Sequence, residues 1–155
     1  MEKKFIILYY SKSNNTKLLA KRIFEIARHY LLEKHVSIEY MKAEEMDYGA
    51  LMDADALIIG SPDYFSYPSG YIKIFFDYMY DHKKAMREKP AFTFLTHGGG
   101  GKAAKYLDNL AESIDLDLVS KCVSVEEKDI DKKAEKKIIK ALSSLADELN
   151  IEATF

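Results

Sequence analysis

Three short segments are apolar without interruption, at residues 5–10, 56–59 and 91–95, and each ends at Ser, Gly or Thr. Such segments predict strands buried on both faces. Two others alternate. Val36, Ile38 and Tyr40 interleave with Ser37 and Glu39, and Val119, Val123 and Val125 interleave with Ser120, Lys121, Cys122 and Ser124. Alternation predicts strands with one partly exposed face, as sheet edges require.

Helical spacing fills the intervals. Leu18, Leu19, Ile23, Ile26, Ala27, Tyr30 and Leu31 share a face, with Asn15 or Thr16 placed to cap the start. A second helix begins near Ser69 and carries Tyr71, Ile72, Phe75, Phe76 and Met79. A third carries Ala103, Leu107, Leu110, Ala111 and Ile114. The last carries Ile138, Ile139, Leu142, Leu145, Ala146 and Leu149 after a lysine-rich turn, and residues 43–53 hold a weaker helical pattern.

Strict alternation of strand and helix implies parallel pairing through right-handed crossovers, hence an α/β three-layer sandwich. Three interior strands between two edge strands fit a five-stranded parallel sheet of order 2-1-3-4-5. Its binding crevice lies where the winding reverses, above the C-terminal ends of strands one and three. Neither repeats nor a linker divide the sequence, so residues 1–155 are expected to form one domain.

Composition narrows the function classes. The 155 residues are 48% hydrophobic and 31% charged, which is ordinary for a globular protein, and the formal net charge is -2. That balance argues against nucleic acid as the main partner. Cys122 is the single cysteine, which excludes an internal disulfide and a thiolate metal cluster and suits a reducing, cytoplasmic compartment. The first apolar segment is shorter than a signal-peptide core or a spanning helix, so no membrane partner is expected.

Three polar or glycine-rich segments fall on the crevice. Ser11, Lys12, Ser13, Asn14, Asn15 and Thr16 lie between a buried strand and an amphipathic helix, where side chains and free N–H groups suit an anion. They also suffice to fill a turn and cap a helix. Residues 60–70 stiffen a segment with Pro62 and Pro68 and offer Tyr64, Phe65 and Tyr67 to a planar ligand. The same rings could cover the end of the core or form a homodimer contact. Thr96 and His97 precede four glycines, Gly98, Gly99, Gly100 and Gly101, more than a flexible turn needs and suited to close backbone approach by a ligand. His97 is placed to hydrogen-bond a ring edge or a substrate, or to stand by without a role.

Residues 10–16 resemble the phosphate loop of the flavodoxin family. Residues 61–65 and 72–77 resemble the flavin-edge segment and following helix of its NAD(P)H-dependent FMN reductase branch, and residues 96–101 are similar to the third loop. The resemblance implies a flavodoxin-like fold and an FMN cofactor. Ser11, Ser13, Asn14, Asn15 and Thr16 then hold the phosphate. Pro62, Asp63, Tyr64, Phe65, Thr96, His97, Gly98, Gly99 and Gly100 line the isoalloxazine. Asn14 stands where the family usually has glycine, and Asp63 where it commonly has a neutral residue.

The implied function is FMN-based oxidoreduction, with electrons drawn from NAD(P)H or a protein donor. No side chain is assigned as catalytic acid or base, and no metal site is expected. Near-neutral charge favours a reductase over a dedicated carrier, since the family's carriers are usually strongly acidic. The alternative is a flavodoxin-fold module that has lost FMN and serves as a binding or scaffold domain. Lys132, Lys133, Lys136, Lys137 and Lys140 read chiefly as the solvated face of the last helix, with docking of an acidic redox partner protein as the lesser reading.

Overall fold

The computed structural model describes residues 1–31, 34–131 and 133–155, which leaves Lys132 of the basic stretch outside the described residues. The elements in chain order are β1 (Lys3–Tyr9), α1 (Asn15–Leu31), β2 (Val36–Lys42), α2 (Tyr48–Asp53), β3 (Ala56–Tyr64), β4 (Tyr67–Pro68), α3 (Gly70–Tyr80), α4 (Lys83–Met86), β5 (Pro90–His97), α5 (Ala103–Ser113), β6 (Asp117–Leu118), β7 (Val123–Glu126) and α6 (Ala134–Glu148). The weak pattern after β2 becomes a 3-10 turn, Ala43–Glu45, followed by α2, whose Ala50 N–H donates to Asp47 Oδ1 at 3.1 Å.

The main sheet runs β2-β1-β3-β5-β6, all parallel, with β7 pairing β5 beyond β6 and β4 folding back antiparallel on β3. With β6 and β7 taken as one interrupted edge strand, this is the order expected from the sequence. The period-two pleat sorts the central strands into two cores. Phe5, Ile7, Ile58, Phe92 and Phe94 meet α1 and α6 on one face. Ile6, Leu8, Leu57, Ile59 and Leu95 meet α3 and α5 on the other. Each face needs its own cover of helices, hence the three layers. Gly60 is a packing requirement, because a Cβ there would lie 2.0 Å from the Phe94 ring.

Three local expectations change. The cap of α1 is neither Asn15 nor Thr16: both lie within the first turn, Asn14 O accepts the Leu18 N–H at 2.9 Å, and Ser11 Oγ accepts the Lys17 N–H at 3.1 Å. Residues 60–64 are not loop, because β3 continues past the core to pair Ser61 with Leu95 and Pro62 with Thr96. The second edge strand is broken. Between the Ala91–Leu118 and Phe94–Val123 pairs the edge carries two more residues than β5, so residues 120–122 leave the ladder after Val119 N–H donates to the Ala91 carbonyl at 2.9 Å. Cys122 N–H there donates to Asp108 Oδ2 at 3.0 Å instead.

Candidate functional site

The crevice is built where β1, β3 and β5 end side by side. β1 delivers residues 10–14 to the start of α1, whose first-turn N–H groups have no helical acceptor and carry the positive end of the dipole. Asn14 takes φ +68°, the left-handed geometry that glycine adopts most readily and asparagine tolerates. Ser13 and Asn14 are exposed, and Asn15 Nδ2 lies 3.4 Å from Ser13 Oγ. Thr16 is buried, and its hydroxyl meets that of Thr96 at 2.7 Å. This pair ties the first segment to the third.

The second segment is a strand extension capped by a tight hairpin. Phe65 and Ser66 take φ +54° and +66°, the consecutive left-handed pair of a type I′ turn that Asn-Gly usually fills. A phenylalanine in that geometry is strained, and its ring is fully exposed. Asp63 holds the turn, its Oδ1 accepting from Ser66 N–H at 2.8 Å. Its Oδ2 accepts from Ala103 N–H at 3.2 Å, so the carboxylate caps α5 and not the helix after Ser69. That helix, α3, is capped by Ser69 itself, and Ser69 N–H donates to the buried Ser61 Oγ at 2.8 Å.

Five tyrosine rings gather on and beside this hairpin. Tyr10 stacks on Tyr71 with centroids 4.7 Å apart, and Tyr64 meets Tyr10 edge-on at 6.3 Å. Burial, and then the neighbouring Tyr10, push the Tyr64 hydroxyl above the usual tyrosine range. The helical spacing predicts Tyr71 on the core face of its helix, yet it is nearly half exposed. The signal was present in its spacing, since it precedes the Ile72, Phe75, Phe76 and Met79 arc by one residue. Tyr106, on α5, lies 5.3 Å from Tyr67 and also extends this aromatic surface.

The third segment follows β5. Gly98, Gly99 and Gly100 are exposed, and a Cβ on any of them would meet nothing within 4 Å. Gly100 takes φ +84° and Gly101 φ +62°, and a Cβ on Gly101 would approach Ser124 Oγ to 2.8 Å and His97 Cδ2 to 3.0 Å. Glycine suits Gly101 by conformation, and any side chain there would have to displace the Ser124 hydroxyl or the His97 ring. His97 Nδ1 is buried and has no hydrogen-bond partner among the described residues.

These features fit FMN. The first segment supplies hydroxyl, amide and first-turn N–H donors for a phosphate. The glycine backbone leaves open space for a ring, the tyrosines offer apolar faces, and His97 holds an unused polar atom at the same edge. Among the described residues there is no cluster of His, Cys, Asp and Glu suited to a metal ion.

Comparison with solved structures shows a flavodoxin-like fold. An archaeal flavodoxin superposes with a TM-score of 0.79 at 18% identity, covering 94% of this chain and 99% of that one. The apo form of an NADH:FMN oxidoreductase (EMOB) gives a TM-score of 0.73 at 18% identity, covering 96% and 90%. The rubredoxin oxygen:oxidoreductase of Desulfovibrio gigas gives 0.76 at 20% identity over 94% of this chain, which spans only 37% of that protein. No curated protein matches the chain. Residues 22–128 match the family described as NADPH-dependent FMN reductase, from within α1 to just beyond β7 and without the 11–16 segment. The chain belongs to the NADPH-dependent FMN reductase family.

Proposed function

We propose that this chain is a single-domain oxidoreductase that holds FMN in the crevice above β1, β3 and β5 and uses it to pass electrons from a reduced nicotinamide nucleotide to an acceptor. One observation carries the reading. Three segments remote in sequence converge at the crevice, and the Thr16–Thr96 and Asp63–Ala103 hydrogen bonds pin them there. The family supports the cofactor, and the near-neutral charge supports a reductase over an acidic carrier.

Bound FMN supplies the hydride and electron chemistry. Ser11, Ser13, Asn14, Asn15 and Thr16 bind its phosphate together with the first-turn N–H groups of α1. Pro62, Tyr64 and Phe65 on the hairpin, and Thr96, His97, Gly98, Gly99 and Gly100 after β5, border its ring. Asp63 positions both of these segments through their backbone. The exposed Phe65, Tyr67 and Tyr71 exclude water from one side of the site, where a nicotinamide or a second copy of the chain covers them. The unpaired thiol of Cys122 is consistent with a cytoplasmic location.

Titration of apoprotein with FMN and riboflavin tests the binding half, and anaerobic addition of NADH and NADPH to the flavin-loaded protein tests the other. FMN should bind at least about tenfold tighter than riboflavin, the effect of about 1.4 kcal/mol from phosphate recognition. Equal affinities would remove the phosphate assignment. Failure of both nicotinamides to bleach the flavin would remove the reductase assignment, and a protein that takes up no FMN would leave a scaffold.

A further inference from the structure

We propose that the cleft between the interrupted edge strand and α6 is a second binding site, for a small phosphate-bearing anion, formed by Lys121, Lys137, Lys140 and Ser144. The cleft has a volume of about 440 Å³, within the usual size range of small-molecule sites. Its origin is the break in the edge: residues 120–122 stand away from β5, and Lys121 projects from them. Opposite, Lys137, Lys140, Ala141 and Ser144 recur at spacings of three and four, which place them on one stripe of α6. The short Ala141 side chain keeps the space between the lysines open.

The charge of the lining is one-sided. Every charged residue bordering the cleft is a lysine, in a chain whose formal net charge is -2. Ion pairs elsewhere use Arg22, Lys73, Arg87, Lys128 and Lys133, whereas among the described residues Lys121, Lys137 and Lys140 have no carboxylate within 4 Å. Lys137 Nζ donates to the Ser124 carbonyl at 2.9 Å, a neutral acceptor that leaves its charge uncompensated. Cys122 also borders the cleft, but burial pushes its thiol up to about 12, so it stays protonated and contributes no negative charge. Asp108 does not line the cleft: its carboxylate oxygens face Thr93 Oγ1 at 2.5 Å and Cys122 N–H at 3.0 Å.

Three ammonium groups on two walls of a concave site repel one another unless an anion lies between them. A phosphate offers several acceptors to these donors and to the Ser144 hydroxyl. The site is separate from the crevice at the ends of β1, β3 and β5, so the inference does not depend on FMN binding.

The test is amide-resolved NMR titration of the full chain with inorganic pyrophosphate, with one equivalent of FMN so that the first segment is filled and no surplus phosphate ester competes. Saturable shifts are expected at residues 119–124 and 137–144. Lys121→Gln combined with Lys140→Gln should weaken binding at least about tenfold. Both side chains are exposed and unpaired, so the fold should persist, and Lys121→Arg with Lys140→Arg should restore binding. ADP and orthophosphate distinguish a nucleotide phosphate from a free one. Shifts centred on residues 11–16, no saturation at roughly millimolar pyrophosphate, or unchanged affinity in the glutamine variant would each overturn the proposal. So would a glutamate-rich peptide that perturbs these amides when pyrophosphate does not, since that result assigns the lysines to an acidic protein.

Discussion

Asn14 concentrates the residue-scale question of how a non-glycine side chain serves a phosphate-loop turn. Its φ of +68° is open to asparagine and closed, at acceptable strain, to β-branched residues. Its carbonyl also accepts the bond that starts α1. Asn14→Gly should therefore leave both stability and FMN affinity close to the parent. Asn14→Val should lose about 1–3 kcal/mol of stability before any ligand is added, the usual cost of a sparsely populated backbone state. Denaturant unfolding of the two apoproteins measures this directly. A valine variant as stable as the parent would show that the turn relaxes, and would move the importance of Asn14 to its amide.

At the scale of elements, the hairpin after β3 and the start of α5 are coupled through one carboxylate. Asp63 accepts from Ser66 N–H within the hairpin and from Ala103 N–H at the helix start. Lys102, in the capping position of α5, gives no side-chain cap. Asp63→Ala should cost about 2 kcal/mol, the sum of a lost helix cap and a lost turn bond. Asp63→Asn should fall between, keeping an acceptor but losing the charge that favours a helix N-terminus. Hydrogen exchange should accelerate at residues 65–66 and 98–104 and remain unchanged in α1. Uniform acceleration across the chain would mean that Asp63 supports the global fold and not this junction.

For the whole molecule, the buried Lys89 makes stability depend on pH in a definite direction. Its ammonium donates to the carbonyls of Leu51 at 3.0 Å and Met52 at 2.5 Å, at the end of α2. Burial lowers it to about 8, with Asp55 and Asp53 opposing. Above that value the folded chain has released a proton that the unfolded chain still binds, so stability rises with pH. Burial raises Cys122 and Tyr40, each to about 12, and these groups act in the opposite sense once their unfolded forms ionise. Stability should therefore rise from about pH 8 to about pH 9 and fall above about pH 10. Thermal unfolding across this range measures it, and Lys89→Met should abolish the rise while keeping the fall. A rise that persists in the methionine variant would place its origin elsewhere.

What the sequence determined by itself was local and periodic. Uninterrupted apolar segments marked strands buried on two faces, helical spacing marked their covers, and strict alternation implied the parallel order. The donor-rich and glycine-rich segments were legible because they end strands that the pattern had already located. The tertiary structure decided which distant groups meet. Thr16 and Thr96 are 80 residues apart, and their hydroxyls join only because β1, β3 and β5 share a register. Asp63 turned to Ala103, 40 residues on, since the extension of β3 carries it alongside the start of α5. The two extra residues in the edge strand are invisible to alternation, because they become a break only when counted against β5. Periodicity records which way a side chain faces, whereas partners across the fold depend on strand register, which no single segment encodes.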